Sequence, residues 1–371
     1  MTRPRHDGTV ALDTSFFETR MAALGLKQYW LAEQLGVHPR TVLRWANGQV
    51  RRIQREHLAA LAVHLQCRED ELSPREVDDD PRIEAARALV DDDIFALLTP
   101  SASYPLVEKL IAATLDAALT LHTRGKLLVI LALAVGRQFR RDDAIAHAEA
   151  AAEIGRGLGN RVIVARAGYA EAWARLYAGE VAAARAAFQR AVDELDYLGE
   201  PADAAMAWFG LGSCQGFAHE HDVGIASLGE AIVRLEPLER PIDLSMPLYV
   251  RGVMLTDVGR YDEAIAELER SRALASGIGW RAGIGRATAA LADAIARRGD
   301  VATGIARYEE ALAILRDDSF IHPAVFIAGA SIFKLAGNLD RARAEIARGL
   351  PMADMFVAER DALLRMRDEL G

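Results

Sequence analysis

Residues 28–48, QYWLAEQLGVHPRTVLRWANG, read as two short helices joined by a sharp turn. In the first, Leu31, Ala32 and Leu35 fall at i, i+1 and i+4, the spacing of one buried helical stripe. Gly36 stops that helix, because a left-handed residue after the last turn is least strained without a Cβ. Val37 is an apolar anchor in the turn. Pro39 opens the second helix where its missing N–H removes no hydrogen bond. Val42 and Trp45 then face inward, three residues apart, and leave Arg40, Thr41 and Arg44 on the outer face, with Asn47-Gly48 ending the helix. A basic outer face on the second of two helices suits entry into a DNA major groove.

The stretch resembles the helix-turn-helix of the XRE family of Cro-like and phage-repressor-like regulators. Gln28, Leu31, Ala32, Leu35, Gly36, Val37, Thr41, Val42, Trp45 and Gly48 stand where that pattern places them. REHLAALAVHLQCREDEL, residues 55–72, resembles the family's closing helix pair. Two positions depart from the pattern: His38 stands where Ser or Thr usually caps the recognition helix, and Ala46 replaces a usual acid. The candidate DNA-binding residues are Gln28, His38, Arg40, Thr41, Arg44, Arg51 and Arg52. Gln28 is expected at a phosphate, Arg40, Thr41 and Arg44 at base edges, and Arg51, Arg52 and Arg55 along the backbone.

Charge is distributed to match. The chain carries −9 overall, yet residues 1–75 carry eleven Lys+Arg against eight Asp+Glu. Residues 34–55 hold Arg40, Arg44, Arg51, Arg52 and Arg55 with no acid, the footprint a phosphate backbone requires. The acidic remainder is expected to point away from DNA and do something else. At 371 residues the chain has room for two or more domains. No apolar run approaches the ~20 residues of a membrane span, and MTRPRHDGTV lacks the apolar core of a secretory signal, so a cytoplasmic location without membrane contact is expected. Cys67 and Cys214 lie far apart in apolar helical contexts and read as reduced, buried thiols.

Along the chain, residues 1–12 read as a mobile tail, and Asp13 or Thr14 caps a first helix running to Leu24. The helix-turn-helix domain spans 13–73, residues 74–80 form a linker, and 81–122 a helical connecting segment broken between Pro100 and Pro105. From about Gly125 the chain repeats. Small residues recur at Ala144, Ala184, Gly224, Ala264, Gly304 and Ala342, and again twelve residues earlier at Ala132, Ala172, Gly212, Gly252, Ala292 and Ala330. A third small set is Ala151, Ala191, Ala231, Ser271, Ala311 and Gly349, and between it and the first lies a mostly large one: Ala148, Phe188, Leu228, Leu268, Tyr308 and Ile346. Antiparallel helices approach closely only where facing side chains are small, so the bulky residue is expected to fill the groove of the next pair.

This half resembles tetratricopeptide repeats, best in GVMLTDVGRYDEAIAELERSRAL, residues 252–274, although a spacing of 40 exceeds that repeat's usual 34. The resemblance implies an all-α protein: the N-terminal bundle, then six helix pairs over 123–350 in a right-handed α-solenoid, and a capping helix within 351–371.

No catalytic motif is present: there is no GxxxxGK[ST], HExxH, GxSxG or CxxC. Neither an enzymatic role nor a cofactor or metal is expected. GRGLGN at 155–160 reads as a helix-ending loop. His219-Glu220-His221-Asp222 offers zinc-type donors but falls in the turn slot of Gly259-Arg260-Tyr261-Asp262. The acidic triplets Asp78–Asp80 and Asp91–Asp93 read as solvated helix starts. A candidate effector groove is drawn by Tyr169, Phe209 and Tyr249, spaced by 40 on successive first helices, with Trp173 and Phe217 on the same strip, Tyr177 one turn on, and Arg166 beside it. Arg286, Asp293 and Arg297 are further polar neighbours. Such a strip can capture an extended or helical segment; the alternative is core or inter-repeat packing.

An XRE-like domain followed by tetratricopeptide repeats resembles the RRNPP group of bacterial regulators. That resemblance implies a homodimer on double-stranded DNA, with a peptide or protein effector in the repeat groove altering the spacing of the two DNA readers. The group often holds peptide backbone with groove asparagines, whereas beyond the linker this chain has only Asn160 and Asn338. The competing reading is a protein-interaction scaffold or antitoxin-like protein whose N-terminal domain binds a protein.

Overall fold

A computed structural model describes residues 9–46, 50, 52–73, 81–91, 104–117, 119–318 and 320–371. Among these residues lie twenty α-helices and one pair of short strands, so the expected all-α fold is found. Residues 1–8, Asn47-Gly48, Arg51, the 74–80 linker with Asp78–Asp80, and Pro100, Asp92 and Asp93 fall outside the described residues. The chain divides into two compact units: residues 1–94, 106–131 and 146–167, and residues 95–105, 132–145 and 168–371. No helix among the described residues is long and apolar enough to cross a membrane.

The first unit holds α1 (Thr14–Ala23), α2 (Gln28–Gln34), α3 (Pro39–Ala46), α4 (Arg55–His64) and α5 (Glu69–Leu72). Asp13 caps α1 by accepting from Phe16 N–H at 2.9 Å. Gly36 takes the left-handed conformation, φ 64°, and Val37 N–H closes α2 onto Ala32 O at 3.0 Å. One apolar core joins Phe16, Phe17, Leu31, Ala32, Val42, Trp45, Leu58, Leu61, Leu65 and Leu72. The tail differs from expectation. Thr9–Ala11 forms a strand, β1, antiparallel to β2 (Arg52–Gln54), with Val10 opposite Ile53. Ile53 enters the core, and burying it fixes a register that three residues of sequence are too few to signal.

Six helix pairs follow: α8 (Leu121–Gly136) with α9 (Arg141–Leu158), α10 (Arg161–Tyr177) with α11 (Val181–Leu198), and α12 (Pro201–Phe217) with α13 (His221–Leu235). Then come α14 (Pro241–Asp257) with α15 (Tyr261–Gly277), α16 (Arg281–Arg298) with α17 (Val301–Ile314), and α18 (Pro323–Leu335) with α19 (Leu339–Gly349). Helix α20 (Val357–Leu370) ends the chain; the connecting segment supplies α6 (Pro81–Asp91) and α7 (Tyr104–Leu115), with Pro105 in its first turn. A residue with positive φ ends helix after helix at Phe139, Gly159, Gly179, Gly199, His219, Glu239, Gly259, Gly279 and Gly299. Each helix with its turn therefore takes twenty residues, which is why the pair repeats at forty. His219 is one of these turn residues, so its segment occupies the expected slot between α12 and α13.

The small-residue positions are where paired helices meet. A Cβ at Gly212 would lie 3.2 Å from Gly224 O, and one at Gly304 would lie 2.9 Å from Ala292 O. The bulky set behaves in two ways. Leu228 and Leu268 lie on Gly212 and Gly252 of their own pairs, while Phe188 and Tyr308 reach Gly210 and Gly329 of the next. Filling the next groove thus holds for the aromatics and not for the leucines, whose side chains are too short to cross. Tyr308 donates to Glu345 at 2.8 Å, so its buried hydroxyl is satisfied. Cys67 and Cys214 are free thiols, and burial pushes them up to about 11 and about 12.

Candidate nucleic-acid interface and effector face

In α3 the inward side is Val42, Trp45 and Ala46, all buried. Trp45 packs against the His57 ring at 5.6 Å. Arg40 and Arg44 are exposed on the opposite side and Thr41 is half-buried. His38 caps the helix after all: its Nδ1 accepts from Arg40 N–H at 3.1 Å, and its carbonyl accepts from Thr41 N–H at 2.8 Å. An imidazole nitrogen here does the work of the usual Ser or Thr oxygen. Gln28 opens α2 and is half-buried, so its amide stands at a helix N-terminus, where a phosphate is favoured.

Arg52 is not a free cation. Its guanidinium donates to Thr9 O at 3.1 Å and Thr9 Oγ1 at 3.3 Å, tying β2 to β1. Arg51 lies outside the described residues, and Arg55 is exposed at the start of α4. Sequence reasoning passed over Leu43, which is 40% exposed on the same outer side as Arg40 and Arg44. Its signal was an apolar residue out of phase with Val42 and Trp45.

The candidate effector residues separate in the structure. Tyr169, Trp173 and Phe209 are 3%, 6% and 3% exposed; Tyr169 and Trp173 meet Phe188, and Trp173 meets Phe209. They serve as inter-repeat packing in this structure, because four rings at successive pairs fill one another's grooves before any ligand arrives. Phe217 is 43% exposed. Tyr249 is half-buried beneath Arg286, whose guanidinium lies 4.6 Å from the ring centre. Arg166 is half-buried and near His122 in the first unit. Asp293 and Arg297 form an ion pair at 3.0 Å, and Arg297 also approaches Asp257 at 3.5 Å. Burial raises both carboxyls and Arg297 opposes it.

The second unit also brings half-buried rings and guanidinium groups into contact. Tyr177 stacks on Trp173 at 5.4 Å and meets Phe139 at 5.8 Å. The Arg137 guanidinium donates to Tyr104 Oη at 3.3 Å and lies 5.7 Å from that ring's centre. Arg286 lies between the Tyr249 and Trp280 rings.

An exposed basic helix on a buried apolar underside, followed by stacked helix pairs, defines a helix-turn-helix protein with a helical-repeat body. Residues 18–77 match the family described as the Cro/C1-type HTH DNA-binding domain, so this part of the chain is a domain of that type. The chain also shares its fold with solved Rap proteins. A Rap protein complexed with competence and sporulation factor aligns over 95% of this chain and 97% of its own, at 12% identity and a TM-score of 0.54. The apo form of RapI aligns over 77% and 97%, at 13% identity and 0.53. Bacillus thuringiensis PlcR in complex with the peptide PapR7 and DNA aligns over 72% and 95%, at 14% identity and 0.48, too low to carry weight here. At such identities the likeness is one of fold. No curated protein matches the chain in sequence.

Proposed function

We propose that the chain is a DNA-binding transcription regulator whose repeat region takes a peptide or protein effector and whose working form is a homodimer. The observation that carries this is α3: Arg40 and Arg44 project from a helix anchored by Val42 and Trp45. Arg40, Thr41 and Arg44 read base edges, Leu43 suits a thymine methyl, and Gln28 meets a phosphate. Arg52, held by Thr9, orients the strand pair rather than reaching for DNA on its own. The dimer is inferred because one such module covers a half-site and operators of this kind are palindromic. The effector reading is supported by the half-buried Arg286 guanidinium held against the Tyr249 and Trp280 rings, and by a protein of the same fold complexed with a factor.

Genomic fragments bound by the purified chain, sequenced with and without a candidate effector, test this reading. On the selected operator Arg44→Ala is expected to cost about 1–3 kcal/mol, roughly five- to 150-fold in affinity. An unchanged footprint for that variant overturns the base-reading role. Affinity that stays flat between low and moderate salt favours the protein-binding scaffold, because a DNA reader releases counterions and weakens steeply.

A further inference from the structure

Helix α20 is anchored at its far end and borrowed at its near end. Leu363 and Leu370 enter the core of the last pair, and Lys334 pairs with Glu369 at 2.6 Å. Its first turn leaves that pair and reaches the opposite end of the row. Phe356 meets Phe139 at 5.0 Å while touching Phe320 at 5.8 Å and His322 at 4.7 Å. Val357 lies on Gly179, close enough that a Cβ there would be 3.6 Å from its methyl. Residues 139 and 179 end the first helices of the first two pairs, so this strap joins the two ends of the unit.

The strap fits this place incompletely. Glu359 is one turn on from Phe356 and lies 4.0 Å from His322 Nε2, but that contact is no ion pair. Burial, with Arg286 acting in the same direction, pushes His322 down to about 3, so it is neutral. Burial raises the Glu359 carboxyl, and Arg286 is the cation that opposes the rise. Yet among the described residues the Arg286 guanidinium makes no hydrogen bond and no ion pair; two rings cover it. The Arg137 guanidinium likewise meets a phenol, and no carboxylate among the described residues. The N-terminus of α20 has no side-chain cap, so its first turn is inexpensive to fray.

We infer that the strap Phe356–Glu359 is a built-in stand-in for the effector, and that the effector is an acidic peptide presenting an aromatic side chain and a carboxylate about one helical turn apart. The inference rests on the effector reading above. The incoming ring takes the slot among Phe139, Phe320 and His322, and the incoming carboxylate gives Arg286 the direct pair that Glu359 leaves unmade. Displacing the strap uncouples the ends of the unit while Leu363 and Leu370 keep the rest of α20 in place.

The test uses the full chain and a fluorescent peptide copying residues 353–362, ADMFVAERDA. Phe356→Ala with Glu359→Gln empties the slot. If the closed strap is populated nine times in ten, that variant binds the peptide about tenfold more tightly than the parent chain. Adding Arg286→Gln is expected to remove the gain, as does Phe→Ala or Glu→Gln in the peptide. In the parent chain, bound peptide speeds amide exchange of residues 353–360. Glu359→Gln alone keeps the ring packing and gives the same direction of change should the double variant fail to fold. Equal affinity of parent and variants overturns the inference. A random peptide display on the parent chain separates the two readings. Selected peptides without an aromatic–acid pair leave an effector site but sink the stand-in, whereas no selection by parent or variant sinks both.

Discussion

The helix pairs offer a direct measure of how much the small-residue positions matter. Gly304 of α17 faces α16, and a Cβ there would lie 2.7 Å from Ala296 Cβ, 2.9 Å from Ala292 O and 3.2 Å from Ala296 Cα. None of these atoms can rotate away, so Gly304→Ala must move a helix. The move disturbs Tyr308, one turn on, whose ring lies over Gly329 and whose hydroxyl binds Glu345. Overpacking of this kind costs about 1–3 kcal/mol. Alanine returns about 1 kcal/mol of helix propensity. Gly168 of α10, in the same unit, supplies the control, because a Cβ there meets nothing within 4 Å. Gly168→Ala is therefore expected to stabilise by up to about 1 kcal/mol. Propensity cancels between the two variants, so their difference isolates the contact at about 1–3 kcal/mol. Urea unfolding followed by far-UV circular dichroism reads it. Pairs such as Ala172 with Ala184 carry two alanines, which sets the outcome that refutes the reasoning. If the two variants agree within about 0.5 kcal/mol, the fifth pair relaxes to the same separation and close approach is not what glycine supplies there.

Other outcomes follow from the first unit. Trp45→Ala removes a side chain 3% exposed and is expected to cost about 3–5 kcal/mol. It should abolish DNA binding at every salt concentration while the helical signal of residues 168–371, in the second unit, persists, unlike Arg44→Ala, which keeps the fold. A second outcome concerns His122, buried 3.3 Å from the Asn160 side-chain nitrogen. Burial, then Lys126 and Arg166, lower it from 6.5 to about 3. Between those values the unfolded chain binds a proton that the folded chain refuses, so stability falls as pH drops below 6.5 and recovers as pH rises. The slope is about 1.4 kcal/mol per pH unit. His122→Gln should flatten the urea midpoint between pH 6 and 4 by roughly that amount; equal slopes in parent and variant contradict it.

Much of this protein is written in short-range pattern. Leu31, Gly36, Val42 and Trp45 set the two helices and their turn, because helix stripes and left-handed stops depend on neighbours within a turn or two. The forty-residue spacing of small residues announced the paired helices for the same reason: each pair repeats one local solution. Tertiary structure decided what depends on residues far apart in sequence. The Val10–Ile53 register tied down a segment that reads as a tail, and it left Arg52 engaged with Thr9. Tyr169, Trp173 and Phe209 recur at positions that sequence can identify, but only the packed structure shows that Phe188 meets Tyr169 and Trp173 and that Trp173 meets Phe209 of the next pair. The meeting of Phe356 with Phe139 spans most of the repeat region. Such a contact depends on the summed geometry of six pairs, and no local periodicity encodes that sum.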